Sequence, residues 1–259
     1  MKAFFVSDIH LKDSEEPSSQ TLLGFLFQLE NSLDSKDPAT HLFLVGDIFD
    51  LWISSHPFFV AKFQKIVDQL QKLKNRGLEI HYFEGNHDLY LKDFWESSVG
   101  IKVHPRAEVF HLGSFRVRVE HGDLINPEDK GYLFLYGLLR TEPLPWLAKN
   151  LPSSVVKFIG TRASGASREY TSTAKSLHEE KIRDLIRQHV LRIQNQKFDF
   201  IVSGHVHVRD DQSFEIEGRR VRSINLGAWL DRAECFILSD LEARFALLNA
   251  NGEWKSKSV

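Results

Sequence analysis

Five apolar segments of this chain, each short enough to be a buried strand, end in clusters of glycine, histidine and carboxylate residues. The first three segments are residues 3–6, 42–45 and 78–83. Two stretches with helical spacing of apolar residues, 21–33 and 58–73, separate them. A strand–helix–strand–helix–strand order requires crossovers, and crossovers imply parallel pairing. The sequence therefore predicts an α/β fold with polar clusters at the ends of its strands.

The second half of the chain carries a different strand pattern. Residues 109–112 and 115–120 are separated by Gly113-Ser114, which predicts a hairpin. Residues 198–202 form another buried run, and residues 213–248 contain short alternating runs. We expect the alternating runs to be antiparallel strands that complete a second sheet.

Residues 124–196 contain few strand signals. Prolines interrupt an apolar, helix-like stretch from Tyr132 to Ile159, and residues 176–194 are typical of one long charged helix. We therefore predict a core formed by residues 1–123 and 197–259, and a helical lid inserted at 124–196.

Composition limits the classes of partner and compartment. The net charge of −2 argues against a nucleic-acid partner, which needs a basic surface. The single cysteine, Cys235, cannot form an internal disulfide. No apolar run reaches the roughly 20 residues of a membrane span, and Asp8 interrupts the first one. We expect a cytoplasmic protein, with peripheral contact to the inner-membrane surface left open.

The polar clusters at the strand ends are the candidate site. They are Asp8-Ile9-His10, Gly46-Asp47-Ile48-Phe49-Asp50, Gly85-Asn86-His87-Asp88, His121-Gly122-Asp123 and Gly204-His205-Val206-His207. Each cluster alone has an ordinary explanation as a loop or turn. Because ligands of such sheets bind at the carboxyl ends of the strands, five clusters in these positions predict a single site. Donors of this type, without thiolate, suit manganese, iron or zinc, and their number suits two ions that share a carboxylate.

These five clusters resemble the motifs of the calcineurin-like metallophosphoesterases, D-x-H, G-D-x-x-D, G-N-H-D, H-G and G-H-x-H. The resemblance runs from residue 8 to residue 207 and implies a four-layer αββα sandwich of two mixed sheets. It implies that one ion binds Asp8, His10, Asp47 and His207. It implies that the other binds Asp47, Asn86, His121 and His205, with Asp47 as the bridge.

The same resemblance implies a mechanism with three catalytic residues, Asp47, His87 and Asp88. A metal-activated hydroxide would attack phosphorus while His87, which is not a ligand, sits over the phosphoryl group. Asp88 would orient the ring of His87 and raise its basicity.

A finer resemblance is to the UDP-2,3-diacylglucosamine pyrophosphatases of lipid A biosynthesis. It rests on residues 46–52, on Asp129-Lys-Gly-Tyr132 followed by Arg140, and on Leu226-Gly227-Ala228-Trp229. It implies an acylated, nucleotide-linked sugar as the substrate and a helical lid whose apolar residues hold acyl chains. The substrate-binding residues expected from it are Asn86, Asp129, Tyr132, Arg162 and Arg168. The bland alternative is that the apolar lid residues form a small core of their own.

The chain departs from that branch at His87, where arginine is usual. A phosphate leaving group departs without a proton because its second pKa is about 6. An alkoxide leaving group needs a general acid such as histidine. His87 therefore keeps a general phosphomonoesterase or phosphodiesterase as one alternative. A metal-bound interaction scaffold without activity is another.

Overall fold

A six-stranded mixed sheet forms one half of the protein. The computed structural model describes residues 1–141, 143–152, 155 and 179–254. The strands of this sheet, in spatial order, are β13 (Ala243–Leu247), β12 (Glu234–Ser239), β1 (Lys2–Val6), β2 (His41–Leu44), β4 (Glu79–Phe83) and β6 (Lys102–His104). The pairs β1–β2, β2–β4 and β4–β6 are parallel, which confirms the predicted βαβαβ unit.

A second mixed sheet has five strands. In spatial order they are β10 (Asp210–Ile216), β11 (Arg219–Asn225), β9 (Phe200–Ser203), β8 (Phe115–Val119) and β7 (Glu108–Leu112). The β7–β8 pair is the predicted hairpin, and β9 pairs in parallel with both β8 and β11. A short parallel pair, β3 (Trp52–Ile53) and β5 (Asp88–Leu89), links two of the strand-end loops.

The two sheets pack face to face through apolar side chains. Phe5, Phe43, Val119 and Val202 are fully buried between them. The rings of Phe5 and Phe43 stack with centroids 4.6 Å apart. Helices cover the outer faces, so the predicted four-layer αββα sandwich is confirmed.

The helices of the core lie on the outer face of the first sheet. They are α1 (Pro17–Ser32), α2 (Pro57–Lys62) and α3 (Gln64–Asn75), followed by a π-helical segment, Lys92–Val99. The predicted single helix over 58–73 is wrong, because Phe63 leaves the helical conformation (φ −112°, ψ 25°). Its buried ring packs 4.6 Å from Phe49, which explains the break.

The alternating tail divides between the two sheets, contrary to the expectation that it completes the second one. Strands β10 and β11 do join the second sheet. Strands β12 and β13 instead extend the first sheet, with β12 antiparallel to β1. All six residues of β12 are buried, so this strand needs covering on both faces, which its place beside β1 provides.

Three described α-helices lie between β8 and β9. They are α4 (Lys130–Leu139), α5 (Leu144–Lys149) and α6 (Glu179–Ile193). Helix α6 packs Val190 against the outer face of the second sheet. Helix α4 has no buried residue. Within the described ranges, no helix is long and apolar enough to cross a membrane.

Candidate metal centre

The two sheets bring the predicted clusters to one edge. From the first sheet, β1 leads to Asp8, β2 leads to Asp47 and β4 leads to Asn86. From the second sheet, β8 leads to His121 and β9 leads to His205. Hydrogen bonds join the loops, including Ile9 N–H to Asp47 O at 3.0 Å and Gly204 N–H to His121 O at 2.8 Å. The predicted convergence therefore comes from the carboxyl ends of strands in both sheets.

The backbone of this edge is held in an unfavourable conformation. Five predicted ligands have positive φ angles between 51° and 67°. They are Asp8, His10, Asp47, His205 and His207. For residues other than glycine, each such conformation costs on the order of 1 kcal/mol or more. Strain concentrated in this way is typical of a functional site.

Two glycines permit the close approach of the loops. A Cβ atom on Gly85 would lie 2.1 Å from Asp47 Oδ1, and one on Gly204 would lie 2.3 Å from Asp8 Oδ2. Because both neighbours are buried carboxylates, no other residue fits at either position. The glycines of the G-N-H-D and G-H-x-H motifs are therefore explained by packing against predicted ligands.

One group of ligand atoms is formed by Asp8, His10 and His207. The Nε2 atoms of His10 and His207 lie 3.2 Å apart, and His207 Nε2 lies 3.3 Å from Asp8 Oδ1. The oxygen Oδ2 of Asp47 lies 3.9 Å from His10 Nε2.

A second group is formed by Asp47, His121 and His205, with Asn86 beside it. Asn86 Oδ1 lies 2.9 Å from His205 Nδ1 and 3.2 Å from His121 Nε2. The two ring nitrogens are 3.3 Å apart, and Asp47 Oδ2 lies 3.5 Å from His121 Nε2. The same Asp47 oxygen therefore borders both groups.

These separations fit divalent metal ions. Metal–nitrogen bonds of about 2.1 Å at roughly 90–109° place neighbouring ligand atoms about 3.0–3.4 Å apart. The nitrogen–nitrogen distances in both groups fall in that range. Carboxylate, imidazole and amide oxygen donors suit manganese, iron or zinc.

The electrostatics of the site also favour bound cations. Burial acts to raise the pKa of Asp47, but His121 and His87 outweigh it and hold that pKa well below its usual range. Burial, followed by the charge of His121, lowers the pKa of His205 to about 3. Asp47 and His205 are therefore in the forms in which these groups bind metals, whereas at His121 the Asp47 charge outweighs burial and raises the pKa, so that a metal ion would displace a proton there.

His87 lies beside both groups. Its ring centroid is 4.8 Å from that of His10. One of its ring nitrogens lies within 4.8 Å of ligand atoms of His10 and Asp47. Its Nδ1 is 2.8 Å from the backbone oxygen of Asp50, so Nδ1 carries a proton and Nε2 is the nitrogen that remains for a ligand. Burial acts to lower the pKa of His87, but the Asp47 charge and the Asp50 carbonyl outweigh it and raise that pKa.

The prediction that Asp88 orients the ring of His87 is wrong, but its charge does help to raise the pKa of His87, as predicted. The Asp88 carboxylate accepts hydrogen bonds from the N–H groups of Asp47, Ile48 and Gly85 and from the Tyr82 hydroxyl. These four donors hold the fully buried carboxylate beneath the loops, so it shapes the site and does not contact the ring. The Asp50 carbonyl orients His87 instead, and sequence reasoning missed this contact because a backbone carbonyl has no residue signature.

Comparison with known proteins agrees with this geometry. The family model for calcineurin-like phosphoesterases matches residues 1–209. The chain belongs to the calcineurin-like phosphoesterase family. It is accordingly a metal-dependent phosphoester hydrolase.

Similar proteins include two named UDP-2,3-diacylglucosamine hydrolase. The one from Aeromonas salmonicida (strain A449) is 27% identical over 251 residues, covering 94% of this chain and 92% of that protein. The one from Enterobacter sp. (strain 638) is 27% identical over 236 residues, covering 88% and 91%. Among solved structures, an archaeal phosphodiesterase aligns over 96% of this chain and 100% of its own, with 15% identity and a TM-score of 0.45.

Two of the predicted substrate-binding residues of this phosphoesterase lie at the start of α4. The Asp129 carboxylate accepts a hydrogen bond from Tyr132 N–H at 2.9 Å and so caps the helix. The Tyr132 hydroxyl donates to Asp123 Oδ2 at 3.2 Å, and its ring lies 5.4 Å from that of His205. The cap thus presents Tyr132 at the metal centre. Arg162 and Arg168 lie outside the described residues.

In the described part of the chain, few hydrogen bonds join α4, α5 and the residues just after α5 to the rest of the phosphoesterase. The Tyr90 hydroxyl donates to Leu139 O, and His56 Nε2 lies 3.2 Å from Leu151 O. Several large apolar side chains of α4 and α5 are exposed: Phe134 at 73%, Leu135 at 49%, Leu138 at 44%, Trp146 at 62% and Leu147 at 44%. In the described part of the chain these side chains form no core of their own.

Proposed function

We propose that this phosphoesterase hydrolyses the pyrophosphate of UDP-2,3-diacylglucosamine or a similar nucleotide-linked lipid, with two divalent metal ions. The observation that carries the proposal is the pair of ligand groups that share Asp47 Oδ2, with His87 beside them. The naming of similar proteins and the exposed apolar side chains of α4 and α5 support the lipid-linked substrate.

The ligand assignment follows the two groups. Asp8, His10 and His207 would hold one ion, and Asn86, His121 and His205 would hold the other, with Asp47 as the bridge. When bound, such ions supply an acidified water as the nucleophile and neutralise the phosphoryl oxygens. Manganese is the ion we propose, with iron and zinc accepted by the same donors.

His87 would serve the phosphoryl group. With Nδ1 donating to the Asp50 carbonyl, Nε2 is free to face the substrate. Its raised pKa favours the protonated ring, which can donate to a phosphoryl oxygen or to the leaving group. Tyr132 lies beside His205, where its hydroxyl and ring can line the substrate pocket.

The exposed apolar residues of α4 and α5 would contact the acyl chains. Burying a side chain such as Phe134 or Trp146 against an acyl chain is worth about 1.5–3 kcal/mol. The same surface can touch the membrane that holds such a lipid. We therefore propose a cytoplasmic enzyme in peripheral contact with the inner membrane.

One experiment tests the proposal against its rivals. The purified protein, loaded with manganese, is offered UDP-2,3-diacylglucosamine, a cyclic nucleotide, an aryl phosphate and a phosphopeptide in parallel. We expect the lipid-linked nucleotide to be hydrolysed fastest. Hydrolysis of another substrate, with the lipid-linked nucleotide left intact, would contradict the proposal. It would support a general phosphomonoesterase or phosphodiesterase, the alternative that His87 favours. No turnover with bound manganese would indicate an interaction scaffold.

A further inference from the structure

A network of hydrogen-bonded polar side chains joins helix α6 to the loop that follows β8. His189 Nε2 lies 2.5 Å from Glu120 Oε1. On the same helix, Arg192 Nη2 donates to Ile125 O at 2.7 Å and lies 3.3 Å from His189 Nδ1. Helix α6 therefore contacts this loop at both ends of the loop, at residue 120 and at residue 125.

In this network of side chains, each hydrogen-bond donor faces an acceptor. His189 Nε2 can donate to Glu120, and His189 Nδ1 can accept from Arg192. The other oxygen of Glu120 accepts from Arg118 Nε at 2.9 Å and Nη2 at 2.6 Å. Burial acts to raise the pKa of Glu120, but His189 and Arg118 outweigh it and lower that pKa.

Packing alone does not explain such residues. Glu120, His189 and Arg118 are all buried, with at most 9% exposure. Apolar residues of similar size would pack at least as well, because a buried ion pair repays its desolvation only with good geometry. A buried, fully hydrogen-bonded arrangement does fix one conformation of the groups it joins.

The loop held in this way carries His121. The backbone fastens it to β9, through Glu120 N–H to Val202 O at 3.1 Å and Gly204 N–H to His121 O at 2.8 Å. The side chains of α6 fasten it from the outer face. His121 Nε2 lies 3.3 Å from His205 Nδ1, and both residues belong to the second ligand group.

We propose that Glu120, His189 and Arg192 are positioning residues that set the affinity of the second metal position through His121. The proposal rests on the proposed function, because it requires His121 to be a ligand. None of the three residues contacts the substrate or the ions in that function.

Isothermal titration calorimetry of manganese binding to the metal-free protein tests this proposal. The variants are His189→Leu, which removes the donor to Glu120, and His189→Gln, which keeps one. Arg187→Ala, an exposed position of the same helix, is the control, and His121→Ala marks the loss of the second position. We expect His189→Leu to weaken one of two positions about 10- to 100-fold. His189→Gln and the control should bind like the wild type.

The melting temperature of each metal-free variant separates positioning from stability. A lower melting temperature with unchanged affinity at both positions would overturn the proposal. If His189→Leu does not fold, Arg192→Ala replaces it, and unchanged affinity there would overturn the proposal equally. A wild type that does not bind two ions, or a His121→Ala variant that binds both normally, would instead contradict the proposed function.

Discussion

The loops at the strand ends bury charged side chains, whereas the helices α4 and α5 expose large apolar ones. Both placements are the reverse of the usual one. In the loops, the carboxylates Asp8 and Asp47 are at most 1% exposed. On the helices, Phe134 and Trp146 are 73% and 62% exposed. Both arrangements cost folding free energy. The difference is that the loop charges have partners within the chain, whereas the described chain does not cover these helix side chains.

The two regions are also held differently. Hydrogen bonds between strand-end backbones fix the loops, and the carboxylate of Asp88 holds two of them together from below. The helices contact the core through a few side chains, such as Tyr90 and Tyr132. Changes in the loops should therefore affect the chemistry for every substrate, and changes on the helices should affect only the substrates that reach them.

The largest effect should come from Asp47→Asn, which removes the charge shared by both ligand groups. We expect kcat/KM to fall by about 100-fold or more on all substrates, since even indirect partners of metal ligands are worth 10–100-fold. The amide oxygen can still accept from His87 N–H, the present partner of Asp47 Oδ1 at 2.9 Å. The metal-free variant should therefore keep its melting temperature but gain little from added manganese. Full activity on any substrate would contradict the shared ligand.

His87→Gln should affect fewer substrates than Asp47→Asn, because the size of its effect should depend on the leaving group. Loss of a general acid costs about 10²–10⁴-fold when the leaving group needs a proton, as an alkyl phosphate does. A pyrophosphate should lose much less, because its leaving phosphate departs unprotonated. Single-turnover rates on both substrates measure the difference. Equal losses would indicate that His87 positions the phosphoryl group and does not donate a proton.

The same two regions show what the sequence could predict. The convergence of the five polar clusters was predictable, because each motif follows an apolar run and parallel strands present their ends at one edge. The true partner of the His87 ring was not, because a backbone carbonyl such as that of Asp50 has no residue signature. The contact of Glu120 with His189 joins residues 69 positions apart with no motif at either end. The choice of sheet for β12 also depended on long-range packing.

Removing the exposed aromatic side chains of the helices should have a selective effect. In Phe134→Ser/Trp146→Ser, the metal-free stability should hardly change, since both rings are mostly exposed in the protein alone. Activity on UDP-2,3-diacylglucosamine should fall about 10- to 100-fold through lost apolar contact. Activity on an aryl phosphate should stay at the wild-type level. Leu241→Ser, which changes a 95% exposed apolar residue in the turn between β12 and β13, is the matched control. Equal losses on both substrates would remove the distinction between the two regions.

The smallest predicted effect is on the pH dependence of stability. It comes from His81, a buried histidine far from the strand-end loops. His81 lies between the sheets, with Nδ1 2.9 Å from His104 Nε2 and Nε2 3.2 Å from the Glu79 carboxylate. Lys102 and His41 also face it. Burial and the charge of His104 lower the pKa of His81 to about 4, outweighing the charge of Glu79. Unlike the carboxylates of the candidate metal centre, this ring belongs to none of the ligand groups found among the described residues.

The sign of the resulting pH dependence follows from proton binding. Between about pH 6.5, where histidine titrates in the unfolded chain, and pH 4, the unfolded state binds a proton that folded His81 does not. The free energy of unfolding should therefore fall as the pH falls through this window, by about 1–3 kcal/mol from this group. His81→Phe suits the neighbouring ring of Phe110, 4.7 Å away, and should reduce that fall. His111→Phe, at an exposed histidine of β7, should not. Urea unfolding at pH 7 and 4.5 measures all three proteins, and parallel losses in all of them would show that His81 takes up its proton without cost to the fold.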